Sequence, residues 1–194
     1  MAARDKRIWL IRHGETEWSL SGQHTGRTEI PLLELGERRA VAVGRELGGK
    51  QFALVLTSPR KRARETARLA GYGSVAEVDD DLQEWDYGAY EGITTQDIQK
   101  AAPGWSIWEG PVPQGETIEQ VAARADRAIR RAEGIDGEVA FFAHGHILRV
   151  LAARWLGLSP KDGALFALDT GSISILGYER ETAVISEWNF VPAV

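Results

Sequence analysis

The chain reads as an α/β protein: a three-layer sandwich with a mostly parallel central sheet, an antiparallel edge and helices on both faces. Three observations predict it. Short apolar runs alternate with stretches of helical periodicity along the chain. Glu138 to Ala143 is a continuous apolar strand, the pattern of a central parallel position. Gly171 to Tyr178 and Thr182 to Trp188 flank Glu179-Arg180-Glu181 and read as a terminal hairpin.

Taken in order, Arg7 to Ile11 is a buried first strand, and Arg12 to Pro31 is a long Gly-rich loop of the kind that carries function. Glu34 to Leu47 has helical periodicity and stops at Gly48-Gly49. Phe52 to Thr57 is a second apolar strand. Ser58-Pro59 supplies an N-cap and a first-turn proline for a helix to about Leu69. Glu77 to Leu82 reads as a short edge strand, and Ile93 to Ala101 as a helix capped by Thr94 or Thr95. A helix starts at Gly115-Glu116-Thr117 and runs to about Glu133; another spans His146 to Leu156.

Composition narrows the function classes. A chain of 194 residues favours one domain, residues 1–194, and can bury a real core. With no cysteine, disulfides, thiolate catalysis and cysteine-ligated metals are excluded. The segment Met1 to Arg7 leads into too few apolar residues for a signal peptide or membrane span, so a cytoplasmic location and no membrane partner are expected. A net charge of −5 argues against a nucleic-acid partner and leaves an anionic substrate to be drawn by local arginines.

All four histidines lie in two short segments that begin where an apolar run stops. Ile11-Arg12-His13-Gly14-Glu15-Thr16 runs on to His24-Thr25-Gly26, and Ala143-His144-Gly145-His146 is followed by Arg149. Strand ends are where α/β sheets hold ligands. His13 can present a neutral ring nitrogen as nucleophile, Arg12 can clamp phosphate oxygens, and Gly14 permits close backbone approach. Ser58 to Ala67 puts a basic cluster at a helix start; Arg62, Thr66 and Leu69 share a face, while Arg60 and Arg64 point elsewhere. In the acidic, aromatic loop Leu82 to Gly92, a carboxyl against aromatic walls can serve as a general acid, while Trp85 and Tyr87 also suit simple packing on the core. His144-Gly145-His146 has metal-ligand spacing, but arginine and glycine neighbours and the lack of further ligands argue for no metal.

Four motifs in this order carry a resemblance: Arg-His-Gly-Glu-Thr after the first strand, Ser-Pro-x-x-Arg-Ala-x-x-Thr-Ala, Glu-x-x-x-Gly-x-x-Glu-Gly, and a late apolar strand ending His-Gly. Together they resemble the histidine phosphatase superfamily, the phosphoglycerate-mutase-like group, over nearly the whole chain. Glu15 to Ser19, Gly22 to Thr28, Glu84 to Gly88, Tyr90 to Thr95 and His144 to His146 look most like its sedoheptulose-bisphosphatase-type branch and the acid-phosphatase relatives. The resemblance implies a phosphomonoester hydrolase working through phosphohistidine on a small phosphorylated metabolite, a sugar (bis)phosphate, with no cofactor. It makes His13 the nucleophile, Arg12, Arg62 and His144 the phosphate pocket, and Glu84 the proton donor. Glu84 must then start protonated, which places the optimum on the acidic side of neutral. Ser19, Thr25 and Gly26 match pocket-lining positions, Ser19 standing where Asn is more common. His24 and Arg149 are assigned to a second phosphate or a polyol chain, and Tyr87 and Gly145 to the pocket. His146 either shapes the pocket or caps the following helix.

The alternative enzyme is a cofactor-dependent phosphoglycerate mutase. Mutases of the group carry a longer, more basic insertion, whereas here Ile93 to Gln114 is short, has Lys100 as its one basic residue, and holds Trp105 and Trp108. A catalytically dead binding module is disfavoured because Arg12, His13, Arg62, Glu84 and His144 are all present. The terminal hairpin, with Trp188, Phe190 and Val191, leaves two readings open: a homodimer contact or a cover for the core.

Overall fold

A computed structural model describes residues 6–194. The expectation drawn from Met1 to Arg7 therefore falls mostly outside the described residues. Among those described, the strands β1 (Ile8–Arg12), β2 (Leu54–Thr57), β3 (Ala76–Val78), β4 (Val139–Ala143), β5 (Ile173–Glu179) and β6 (Thr182–Phe190) form one sheet in the order β3-β2-β4-β1-β5-β6. β1, β2, β3 and β4 pair in parallel, while β5 runs antiparallel to both β1 and β6. The helices are α1 (Glu17–Ser21), α2 (Glu34–Leu47), α3 (Lys61–Leu69), α4 (Thr95–Ala101), α5 (Ile118–Glu133) and α6 (Gly145–Trp155). None of the described helices is long and apolar enough to cross a membrane.

Both faces of the sheet are covered. Leu10, Leu56, Phe141 and Ala143 pack in one core with Val121 and Ala125 of α5 and Leu148 and Leu151 of α6. Ile11, Val55, Ala140 and Phe142 pack in a second core with Val43 and Leu47 of α2 and Ala67 of α3. β4 is buried at every residue because neighbours flank it on both sides and helices lie above and below. Burying Phe141 and Phe142 contributes roughly 1.5–3 kcal/mol each.

The local differences from the sequence expectations have physical causes. The long loop after β1 contains α1, because Thr16 and Ser19 form a capping box and Gly22 ends the helix at φ 76°. Ser58 does not cap α3. The N-cap position is Arg60, whose N–H donates to Ser58 Oγ, and that hydroxyl also meets His144. The edge strand β3 stops at Val78, because the Asp79 carboxylate accepts from Asp81 N and turns the chain into a 3-10 helix over Asp80–Leu82. Of the two candidate caps for α4, Thr94 is the one used. A 3-10 helix over Pro160–Leu165, capped by Ser159, was not expected from periodicity.

Candidate active site

The parallel pairing brings the C-terminal ends of β1, β2 and β4 to one edge of the sheet: Arg12 lies opposite Ala143, and Thr57 opposite Phe142. The start of β5 joins them, since Arg12 N donates to Ser172 O and Gly171 N donates to the carbonyls of Arg12 and His13. The loop leaving β1 is held against α2 with no room for side chains. A Cβ on Gly14 would lie 2.2 Å from the Gly36 carbonyl oxygen, and one on Gly36 would lie 2.3 Å from that of Glu15. Gly14 N donates to Thr66 Oγ1, and buried Glu15 pairs with Arg39, which also reaches Thr170.

His13 and His144 meet here with ring centroids 5.2 Å apart. His13 Nδ1 lies 2.7 Å from the Gly14 carbonyl oxygen. A carbonyl only accepts, so Nδ1 carries the proton and Nε2 keeps its lone pair. Arg62 Nε lies 3.1 Å from His144 Nδ1. A guanidinium only donates, so in His144 the proton sits on Nε2, which donates to Ser58 Oγ at 2.7 Å. Burial, then the charges of Arg62 and Arg12, hold the His13 imidazole well below its ordinary value, and burial and Arg62 do the same for His144. Both rings are neutral.

Arg62 is buried and Arg12 half-buried, and desolvation lowers both guanidiniums from their ordinary value. Arg12 Nη1 donates to the Leu168 carbonyl, while its Nε is buried with no partner among the described residues. Gly145 lies beside that guanidinium, where a Cβ would come into van der Waals contact with it, 3.4 Å from Arg12 Cζ. Arg62 donates to the carbonyls of Thr28, Thr25 and Gly26. From the other side Glu91 accepts Gly26 N at 3.0 Å and Thr28 N at 2.9 Å. The loop Thr25 to Thr28 is thus clamped between a buried cation and a carboxylate.

Glu84 reaches the same place from a different loop. Its Oε1 accepts from Trp85 N and Ile147 N, and its Oε2 accepts from His146 N at 3.0 Å. The last two are first-turn donors of α6, whose N-cap residue His144 provides no side-chain cap. Glu84 fills that role and is fixed by it. Oε2 has one partner fewer than Oε1, which leaves a lone pair for a proton.

Beyond Glu84 lies a ring-rich cluster. His24 Nδ1 donates to the Ile93 carbonyl at 2.7 Å. The Tyr87 hydroxyl lies 2.6 Å from His146 Nδ1. The His24 and His146 rings stack 6.2 Å apart at 14°, with Trp105 against His24 and Trp108 against His146. His146 does not cap α6 with its side chain; its backbone N–H goes to Glu84 and its ring to Tyr87.

The remaining expected contacts divide. Thr25 and Gly26 supply carbonyls to Arg62, and Thr25 Oγ1 donates to the Gln23 carbonyl. The Ser19 hydroxyl is engaged with Thr16 N and O, both at 2.9 Å. Arg149 donates to Gly163 O at 3.0 Å and Ala164 O at 3.2 Å, and its Cζ lies 4.5 Å from the centre of the Trp108 ring. Among the described residues no group of three or more His, Cys, Asp or Glu converges as metal ligands. Sequence reasoning missed Ser58 and Glu91 as parts of the site. Both stand inside the quoted motifs, where the serine looked like a cap and the glutamate like a loop acid.

Comparison with known proteins gives the family. Residues 8–191 match the family model described as the histidine phosphatase superfamily (branch 1). The chain is 43% identical over 192 residues to an acid phosphatase of Mycobacterium tuberculosis, covering 95% of this chain and 94% of that protein. It is 38% identical over 191 residues to sedoheptulose 1,7-bisphosphatase of Saccharomyces cerevisiae, covering 81% of this chain and 70% of that protein. A solved structure of a Mycobacterium tuberculosis open-reading-frame product superposes with a TM-score of 0.90 at 40% identity, over 97% of this chain and 99% of the other.

Proposed function

The chain belongs to the histidine phosphatase superfamily, and on that premise we propose that it hydrolyses small phosphomonoesters with His13 as nucleophile, Glu84 as proton donor, and Arg12, Arg62 and His144 as the phosphoryl pocket. The observation that carries this reading is the bare Nε2 of His13, on a ring 5.2 Å from that of His144 and under the charges of Arg62 and Arg12. Phosphoryl transfer is catalysed mainly by positioning and by charge stabilisation on the equatorial oxygens. Arg12, whose Nε has no partner among the described residues, supplies a positive fork; Arg62 adds its buried charge, and His144 Nε2–H becomes a third donor when a phosphoryl oxygen takes the place of Ser58 Oγ.

In the first step His13 Nε2 forms a bond to phosphorus as the ester P–O bond breaks. The proton on Glu84 Oε2 passes to the departing oxygen, giving a neutral alcohol. In the second step ionised Glu84 takes a proton from water, whose oxygen attacks phosphorus. The N–P bond breaks, inorganic phosphate leaves, and His13 and Glu84 return to their starting states. The Nδ1–H bond to Gly14 O persists throughout and steadies the phosphoimidazole.

The substrate class is a sugar (bis)phosphate, a reading supported by the similarity to the yeast bisphosphatase and by the cluster of imidazole and indole rings beyond Glu84. The mutase alternative is less supported, since the two curated relatives described above are phosphatases. The test is phosphate release from sedoheptulose 1,7-bisphosphate, fructose 1,6-bisphosphate, 3-phosphoglycerate, AMP and p-nitrophenyl phosphate, with His13→Ala beside wild type. A strong preference for one sugar phosphate, lost in the variant, is expected. Isomerisation between 2- and 3-phosphoglycerate well above phosphate release would overturn the hydrolase reading.

A further inference from the structure

The His24–His146 pair has a property that its position in the sequence does not reveal. The Ile93 carbonyl only accepts, so His24 carries its proton on Nδ1 and shows a bare Nε2. Tyr87 is buried, and its hydroxyl has no hydrogen-bond partner among the described residues other than His146 Nδ1. A buried hydroxyl places its proton on the acceptor it has, so His146 carries its own proton on Nε2. Neither Nε2 has a partner among the described residues, and neither is sealed from solvent. One ring therefore offers a lone pair and its stacked neighbour offers an N–H.

We propose that His24 and His146 together bind hydroxyl groups of the departing alcohol, His24 Nε2 accepting and His146 Nε2–H donating, so that the enzyme selects polyol phosphates over esters of plain alcohols. The inference rests on the reading of Glu84 as the group at the leaving oxygen and deepens it. His146 is placed on that side because its own backbone N–H donates to Glu84 Oε2. A hydroxyl is the group that both donates and accepts, and so completes both rings at once. Burial holds the His24 imidazole below its ordinary value against the pull of Glu84 and Glu91, and burial and Arg149 hold His146 well below it, so both rings are neutral, which suits hydroxyls and not an anion. Tyr87 is a positioning residue that acts through the tautomer of His146, and desolvation keeps its hydroxyl protonated. The flanking Trp105 and Trp108 rings suit the C–H faces of a carbon chain.

The experiment compares kcat/KM for erythritol 4-phosphate and n-butyl phosphate, esters of equal chain length that differ in their hydroxyls. Wild type should favour the polyol ester by at least about tenfold, because a plain chain covers two polar ring nitrogens and pairs neither. His146→Phe should bring the ratio to about one. Tyr87→Phe should lower it several-fold, mainly through KM of the polyol ester; a merely structural role would lower both esters alike. A wild-type ratio near one, which needs no variant to fold, or a ratio that survives His146→Phe, would overturn the proposal. No phosphate from either ester, with no phosphohistidine from p-nitrophenyl phosphate, would overturn the phosphatase reading of the site and this inference with it.

Discussion

Two imidazole pairs stand side by side in this molecule, and each contains one ring with a bare Nε2 and one with an Nε2–H. The inner pair, His13 and His144, is surrounded by Arg12 and Arg62 and lies at the ends of β1 and β4. The outer pair, His24 and His146, is surrounded by Tyr87, Trp105 and Trp108, and its nearby cation, Arg149, is tied to two carbonyls. The same side chains in the same tautomers serve different ends because their neighbours differ. Fixed cations make the inner pair a receiver of a phosphoryl group. Rings without a free cation make the outer pair a reader of neutral hydroxyls.

The largest expected effect falls on the inner pair. His13→Ala should lower kcat by about 10^4-fold or more, as loss of a nucleophile does, and leave no acid-labile phosphoenzyme in a quench assay. Arg62→Lys keeps a charge but loses the fork that holds His144 Nδ1 and three loop carbonyls. It should lower kcat/KM by about 10^2- to 10^3-fold in steady-state assays, a greater loss than any single change in the outer pair.

A thermodynamic experiment sharpens the comparison. All four imidazoles are held below their ordinary value of 6.5 in the fold. The unfolded chain then takes up protons that the folded chain refuses. This stability is present above pH 6.5 and is lost as pH falls, with a slope approaching about 1.4 kcal/mol per pH unit for each histidine. Replacing His24 and His146 by Phe should remove up to about 2 kcal/mol of the loss between pH 6.5 and 5.5, measured by urea unfolding. An unchanged pH dependence would mean that the outer rings are not neutral in the fold. The smaller effects lie between the pairs. Glu91→Gln should cost about 1–2 kcal/mol and raise KM, because Gly26 N and Thr28 N lose a charged acceptor. Ser19→Ala should cost about 1 kcal/mol of stability and leave kcat/KM within a few-fold, since its hydroxyl caps α1.

Legibility followed how local each signal is. The buried strands β1 and β4 and the span of α2 were readable because apolar periodicity and a terminal Gly48 are properties of neighbouring residues. The inner pair was readable for the same reason, as histidines at the ends of apolar runs. α1 was not, because its five residues carry no apolar period and its signal is a Thr16–Ser19 cap. Ser58 had a local reading as a cap, which gives no sign of its tertiary contact with His144. The seat of Glu84 was invisible because its partners include the backbone N–H groups of His146 and Ile147, which carry no residue-type signature. The tautomers of the outer pair depend on Ile93 and Tyr87, each distant in sequence from the histidine it sets.

The central claim is that the fold locks four neutral imidazoles into two opposed tautomers. With only four histidines in the chain, long-range proton–nitrogen correlation spectra of the uniformly 15N-labelled protein at neutral pH test it directly. The account predicts two rings with the Nδ1–H pattern, assigned to His13 and His24, and two with the Nε2–H pattern, assigned to His144 and His146. Averaged tautomers at His24 and His146, or an imidazolium at any of the four, would contradict it.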